Sequence, residues 1–198
     1  MAAKIKVDLR PYFSSSERES REEVTITYDL NSGTNLIGLP NLPNISVVDF
    51  IDGLSSAAGE TAPIVSIIGE GYSTSILPGI GWIGSLMNLS PTKGYWVTLT
   101  DDFSFQITGY LVDNNITLHG GNNLVSYWGI DSFDSIQANQ QPFGYNFYPY
   151  FCPPNTRETG ILSEGESTVC TDGNLWVGSL TDFYRTDGFW LIIDGDDS

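Results

Sequence analysis

Three groups of acidic residues are the side chains of this sequence whose type and spacing could hold a metal ion. Carboxylate oxygens are the ligands that calcium prefers. None of the groups has the spacing of a twelve-residue calcium loop, and scattered surface carboxylates usually carry only solvated charge. No cofactor is therefore predicted, with calcium as the alternative. The groups are Asp101-Asp102, Asp131 with Asp134, and Asp194 with Asp196 and Asp197.

Motifs for catalysis are sparse. The one histidine, His119, precedes Gly120-Gly121 at a predicted turn, and the sequence has no nucleophile elbow, His-Glu-x-x-His motif or phosphate-binding loop. Paired carboxylates for sugar hydrolysis depend on a separation in space that a sequence does not show. We therefore predict that the protein is not an enzyme.

The two cysteines, Cys152 and Cys170, are a disulfide candidate. A bond between them would close a loop worth about 3 kcal/mol in chain entropy. Two cysteines alone cannot form a tetrahedral zinc site, and His119 is far away in the sequence. The alternative is a pair of free, buried thiols. A disulfide would place the mature protein outside a reducing cytoplasm.

An aromatic segment from Phe143 to Phe151 is the candidate for binding a partner. Aromatic side chains on a loop supply a large contact area at low entropic cost. The alternative is a loop that folds over its own domain and is held there by Cys152. The partner-binding candidates are Tyr145, Phe147, Tyr148, Tyr150 and Phe151.

A duplicated pattern contains four of the five tryptophans. Trp82-Ile83-Gly84-Ser85-Leu86 returns 94 residues later as Trp176-Val177-Gly178-Ser179-Leu180, and Gly94-Tyr95-Trp96-Val97 returns at the same offset as Gly188-Phe189-Trp190-Leu191. Upstream the offset is 88 residues, so the second copy has a longer middle. Repetition at a long period indicates duplicated structural units.

Tryptophans at matched positions within apolar strands are typical of a packed core. We therefore predict that Trp82, Trp96, Trp176 and Trp190 form the core frame of the two copies. The alternative is a set of sugar-stacking platforms, since flat apolar faces with a polar edge suit carbohydrates.

The Asn-Leu-Ile strand, followed by Trp and Leu and then by Gly-Tyr-Trp-Val, resembles a repeat found in bacterial surface and secreted proteins and in virion proteins of marine phages. Ser90-Pro91-Thr92-Lys93 before Gly94 is close to the family's turn, whereas the second copy has Arg185-Thr186-Asp187. The resemblance spans roughly Val24 to Asp194. It implies a non-catalytic accessory or structural module and supplies no catalytic residues.

The elements that must position these residues are mainly strands. Short segments of alternating or β-branched apolar residues, such as Val24–Tyr28, Ile64–Ile68 and Phe103–Ile107, are bounded by Gly, Pro and Asp. Ser46 can cap a helix over residues 46–54 with Val47, Val48, Phe50, Ile51 and Leu54 on one face, and residues 131–136 repeat the spacing. We predict a mainly β, α+β fold with two short helices, in which two pseudo-symmetric repeats pack together.

Charge divides the chain unevenly. The net charge is -16, yet five of the eight basic residues lie in the first 21 positions. We predict an extended N-terminal arm over residues 1–23, a first repeat over 24–110 and a second over 111–198, which holds the aromatic and cysteine insertion. Because the body is strongly acidic, it should bind neither nucleic acid nor a membrane. The assembly residues of the arm are Lys4, Lys6, Arg10, Arg18 and Arg21.

The functional expectation combines composition with the resemblance. The chain has an extracellular character, a possible disulfide and no apolar stretch at its start that would serve as a secretion signal. A virion protein released by lysis meets all three conditions. We predict a structural phage protein, such as a head decoration, fibre or tail accessory protein, that joins a larger assembly through its arm. The alternative is a carbohydrate- or protein-binding module of a bacterial surface protein.

Overall fold

Antiparallel strands form most of the molecule. The computed structural model describes residues 5–111, 117–127, 159–171, 176–180 and 182–193. The elements are β1 (Ile5–Asp8), a 3-10 helix (Arg10–Tyr12), α1 (Ser15–Ser20), β2 (Glu23–Leu30), β3 (Gly33–Gly38), β4 (Ile45–Ser46), α2 (Val47–Ala58), β5 (Ile64–Gly69), β6 (Tyr72–Leu77), β7 (Gly81–Gly84), β8 (Asn88–Leu89), β9 (Gly94–Leu99), β10 (Phe103–Tyr110), β11 (Gly121–Ser126), β12 (Thr159–Leu162), β13 (Ser167–Cys170), β14 (Trp176–Gly178) and β15 (Gly188–Ile193). Strands make up 51% and helices 14% of the described residues, which confirms a mainly β fold. None of the helices in the described ranges is long and apolar enough to cross a membrane.

Two five-stranded sheets share one strand order. The first is β3-β9-β5-β6-β7 and the second is β11-β15-β12-β13-β14. The register is shared as well, since Leu36 lies opposite Trp96 in the first sheet and Leu124 lies opposite Trp190 in the second. The repeated motifs therefore occupy equivalent strands. Pseudo-symmetry of the two whole copies stays a prediction, because residues 128–158 lie outside the described part of the second copy.

Each sheet covers its own buried cluster. The first cluster runs from Val7 to Ile107 and also contains the buried face of α2, whereas the second runs from Val125 to Leu191. In β9 and β15 the buried positions alternate along the strand, because successive side chains point to opposite faces of a sheet. Tyr95 and Val97 thus enter the first core, and Phe189 and Leu191 enter the second.

The same alternation places the tryptophans elsewhere than expected. Trp96 and Trp190 lie between the buried residues of their strands, so they point to the opposite face and are only half-buried. Trp82 is also half-buried and packs against the edge of the first cluster. The prediction of a tryptophan core frame thus differs from the structure at these three positions. The side chain of Trp176 lies outside the described residues.

The N-terminal segment is not an extended arm over residues 5–23. β1 pairs in parallel with β10, which also pairs with β2 to form a three-stranded sheet. Val7, Leu9 and Phe13 are buried in the first cluster. The reason is the alternation of Ile5 to Leu9, which sets Val7 and Leu9 on one face. Residues 1–4, including Lys4, lie outside the described chain.

Ion pairs hold two of the supposed assembly residues within this segment. Arg10 lies 2.8 Å from Asp8 and 3.1 Å from Glu23. Arg21 lies 3.2 Å from Glu17 on the short helix α1. Lys6 and Arg18 are exposed. The basic residues of the segment thus border a folded element, and they do not form a free basic arm.

Helix α2 begins at the predicted cap. The Ser46 hydroxyl accepts a hydrogen bond of 3.0 Å from the backbone N–H of Asp49, and the helix ends at Gly59 in the left-handed conformation. Phe50, Ile51 and Leu54 are buried as predicted, whereas Val48 is exposed. The corresponding prediction for residues 131–136 lies outside the described chain. The second helix of the described part is α1, which the sequence did not indicate.

A substitution in the N-terminal segment should report its packing. Leu9→Ala removes a side chain that is 3% exposed, so the free energy of unfolding should fall by about 2–5 kcal/mol. Lys6→Ala, on the same segment but exposed, should change it by less than about 0.5 kcal/mol. Urea denaturation followed by tryptophan fluorescence measures both. If Leu9→Ala were as stable as the unsubstituted chain, the packing of this segment would be contradicted and the prediction of an extended arm would be supported.

Candidate functional site

The first repeated motif joins the last two strands of each sheet. A Cβ atom at Gly84 would collide with the backbone of Ser73 and Thr74, and one at Gly178 would collide with Ser167 and Thr168. The serine after each glycine accepts a hydrogen bond from the backbone of the facing strand, from Ser73 N at 3.4 Å in the first copy. In the second copy Ser179 accepts the matching bond at 3.3 Å. This motif therefore has a structural role.

The second repeated motif begins where the two copies touch. A Cβ at Gly94 would lie 2.7 Å from the carbonyl oxygen of Val125, and one at Gly188 would lie 2.7 Å from that of Ile37. Beside these contacts Gly38 N donates to Thr186 O at 2.9 Å, and Ser126 N donates to Thr92 O at 3.2 Å. Only glycine permits so close an approach of two backbones.

A glutamate from each copy crosses this junction. Glu70 Oε2 accepts a hydrogen bond of 3.0 Å from the backbone N–H of Leu124, and Glu164 Oε2 accepts one of 3.1 Å from Leu36. The two glutamates are 94 residues apart and the two leucines 88, which are the offsets of the repeat. The contacts of the junction therefore occur in reciprocal pairs.

Charged neighbours distinguish the two glutamates. His119 Nε2 lies 2.5 Å from Glu70 Oε1, and Lys93 Nζ lies 3.4 Å from Oε2. At the matching positions of the second half-junction the chain has Asn31 and Asp187, so Glu164 has neither cation there. Glu70 thus belongs to an ionic cluster whose two cations have no counterparts at the matching positions beside Glu164.

The protonated form of His119 fits this cluster. Nδ1 lies 2.8 Å from the carbonyl oxygen of Gly120 and Nε2 faces Glu70, so both ring nitrogens meet acceptors and both must donate. The Gly120 carbonyl and then the Glu70 carboxylate raise the pKa of His119. Partial burial opposes the change at Glu70, but bonds from Leu124 and His119 lower its pKa. The histidine is thereby engaged in a structural contact.

Other candidate residues fall into two groups. Asp102 accepts a hydrogen bond of 2.8 Å from Ser32 N, and Asp101 accepts one of 2.9 Å from Thr100, so these acids organise a turn. The remaining acidic candidates, Asp131, Asp134, Asp194, Asp196 and Asp197, lie outside the described chain, as do the partner-binding candidates Tyr145, Phe147, Tyr148, Tyr150 and Phe151. The searched residues contain no group of three metal-ligating side chains.

The predicted disulfide remains a prediction. Cys170 ends β13, opposite Trp176 on β14, and is half-buried. Cys152 lies outside the described residues. No distance between the two sulfur atoms is therefore described that could be compared with the length of a disulfide bond.

An exposed apolar hairpin forms a candidate surface that the sequence motifs do not indicate. It consists of β6, β7 and the turn from Leu77 to Ile80, closed by a 3.1 Å hydrogen bond from Ile80 N to Leu77 O with Gly79 at φ 78°. Ile80 is 74% exposed, and the other exposed apolar side chains here are Tyr72, Ile76, Leu77 and Ile83. No charged residue occurs from Gly71 to Thr92. That uncharged run was the signal in the sequence.

The second copy has polar residues at the matching positions of its sequence. Thr171-Asp172-Gly173-Asn174 replaces Leu77-Pro78-Gly79-Ile80, while β13 and β14 still pair in the register of β6 and β7. Pairing in this register therefore does not depend on apolar residues between the two strands. Burial within the described part of the chain does not account for the apolar side chains of the first hairpin, because they are exposed.

Comparisons of the chain with protein-family models, with curated proteins and with solved structures gave no match.

The pH should affect the two half-junctions differently. The raised pKa of His119 stabilises the fold below its ordinary value of 6.5, and this contribution is lost as the pH rises through the folded pKa. The lowered pKa of Glu70 stabilises the fold above 4.5, and its contribution is lost as the pH falls below that value.

His119→Asn, which copies Asn31, should therefore reduce the loss of stability between about pH 5.5 and about pH 8. Urea denaturation at both pH values measures the loss. Glu164→Gln serves as the control, because Glu164 has no counterparts of His119 and Lys93 beside it. This variant should leave the loss of stability between the two pH values unchanged. An identical pH dependence of His119→Asn and the unsubstituted chain would contradict the ionic cluster.

Close approach at the junction gives another expected outcome. Gly188→Ala puts a Cβ against the Ile37 carbonyl, so it should lower the free energy of unfolding by about 1–3 kcal/mol. Gly53→Ala lies within α2 and meets only Val7 at 3.9 Å, so it should stabilise the protein by up to about 1 kcal/mol. Thermal denaturation of both variants distinguishes the junction from a general effect of replacing glycine.

Proposed function

We propose that this chain is a non-enzymatic structural protein of a phage particle and that it attaches to its neighbours through the β6–β7 hairpin. The observation that carries the proposal is the exposed, uncharged apolar surface of this hairpin on a protein with a net charge of -16. Contiguous exposed apolar surface on a protein marks a site of association.

The charge of the body favours a protein as the partner. A strongly acidic surface repels the phosphates of nucleic acids and of anionic lipids. An uncharged patch rich in Ile, Leu and Tyr instead resembles the apolar centre of a protein–protein interface. The hairpin therefore suits a protein neighbour.

The proposed site of attachment is the hairpin and not the N-terminal segment that the sequence predicted. β1 and the buried side chains of Leu9 and Phe13 tie residues 5–23 to the first core, so this segment has a role within the chain. The hairpin projects its apolar side chains without any such internal role for Ile80, which is 74% exposed. The assignment to a phage rests on the resemblance of the repeat to virion proteins.

Purified particles of the phage that encodes the chain provide the test. Mass spectrometry should detect the protein in particles after density-gradient purification. A triple variant, L77T/P78D/I80N, gives the first hairpin the polar residues of the second at these positions. It should fold normally and be depleted from the particles by about tenfold or more, which corresponds to about 1.4 kcal/mol of binding free energy.

Val177→Thr supplies the matched control, because Val177 is 56% exposed on the equivalent strand of the second copy. Its incorporation should equal that of the unsubstituted chain. Absence of the protein from the particles would overturn the phage assignment. Undiminished incorporation of the triple variant would overturn the role of the hairpin.

A further inference from the structure

No strand of the described chain pairs with the outer edge of β7. β7 pairs with β6, and the paired residues run from Thr74 opposite Gly84 to Leu77 opposite Gly81. In the part of the chain that the structure describes, β7 is the last strand of its sheet. Alternate residues of an edge strand direct their N–H and C=O groups away from the partner strand. Such an edge is a template for another strand.

Natural edge strands usually carry charges that prevent this pairing. The two edge strands of the three-stranded sheet follow that rule, since β1 contains Lys6 and Asp8 and β2 contains Glu23 and Asp29. β7, with the sequence Gly-Trp-Ile-Gly, has no charge, and Ile83 at its centre is 44% exposed. Charged side chains, which are one of the usual protections against association, are therefore missing at β7, as they are at the equivalent strand β14.

The net charge of the chain indicates which partner can pair with this edge. Two chains with a net charge of -16 repel each other, so they can meet closely only where both surfaces are uncharged. A two-fold axis at β7 places the uncharged run of one chain, Gly71 to Thr92, against the same run of the other. A basic partner would gain more by binding the acidic faces of the body. The uncharged edge therefore fits a second copy of this chain.

We propose that β7 pairs in antiparallel fashion with β7 of a second copy, which joins the two β3-β9-β5-β6-β7 sheets into one continuous sheet. Trp82 and Ile83 lie at the centre of this contact, and the exposed side chains of Leu77 and Ile80 lie at its ends. The inference rests on the proposed function in that it specifies how the hairpin assembles, and it makes the neighbour in the particle an identical subunit.

Sedimentation velocity of the purified full chain tests the pairing over concentrations from about 1 μM to about 1 mM. The fraction of dimer should rise with concentration. It should also rise with added salt, because salt screens the repulsion between the acidic bodies. A chain that stays monomeric throughout this range overturns the inference.

A charge on the edge strand supplies the specific test. Ile83→Lys places on β7 the kind of residue that protects other edges, and it should weaken dimerisation at least tenfold. Val177→Lys makes the same change at the equivalent position of β14 and should leave dimerisation unchanged. Because both side chains are largely exposed, both variants should keep the melting temperature of the unsubstituted chain within a few degrees.

Each outcome separates the inference from the proposed function. Equal weakening by both variants, or none by Ile83→Lys, overturns the pairing through β7. A monomeric chain that is present in particles, and whose triple variant is lost from them, assigns the hairpin to a different protein and also overturns self-pairing. Dimerisation in solution by a chain that particles lack supports the pairing and overturns the phage assignment.

Discussion

Close contact between two backbones at the junction of the copies is the constraint on which the rest of the structure depends. Gly94 lies against Val125 and Gly188 lies against Ile37, at distances that no other residue would permit. With the backbones this close, the carboxylate of Glu70 reaches the amide of Leu124. These contacts satisfy polar groups at a partly buried position, where an unpaired donor would be costly. The strands that begin at these glycines then supply one aromatic side chain to each core, Tyr95 to the first and Phe189 to the second.

Two sheets with the same strand order support different surfaces. The shared residues are those that close the hairpins and the junction, such as Gly84 with Ser85 and their counterparts in the second copy. The residues that differ lie at the hairpin tips and around the two glutamates. His119 and Lys93 therefore give one half of the junction a charge that responds to pH, whereas the apolar tip gives one hairpin a surface suited to association.

Much of the fold could be predicted from the sequence, because strand alternation and helix capping act locally. The cap at Ser46 is an example, and so is the offset of the repeated motifs, which correctly matched β9 with β15. The structure differs from the prediction at Trp96, because matched aromatic positions within apolar strands indicate a core, whereas strand alternation places Trp96 between the buried Tyr95 and Val97 and so on the opposite face. The pairing of β1 with β10 was missed because the charges that follow Leu9 suggested a solvated arm. The only feature of the sequence that indicates the exposed hairpin is the absence of charged residues from Gly71 to Thr92.

The sequence by itself determined that the chain is mainly β, since the alternation of apolar residues and the positions of glycines in turns depend on neighbours a few residues away. Only the tertiary structure decided that the two sheets meet through reciprocal glycine contacts, that His119 faces Glu70, and that β7 has β6 on one side and no described strand on the other. These features join residues that are dozens of positions apart. Their pairing follows from how sheets pack, and no local pattern in the chain specifies it.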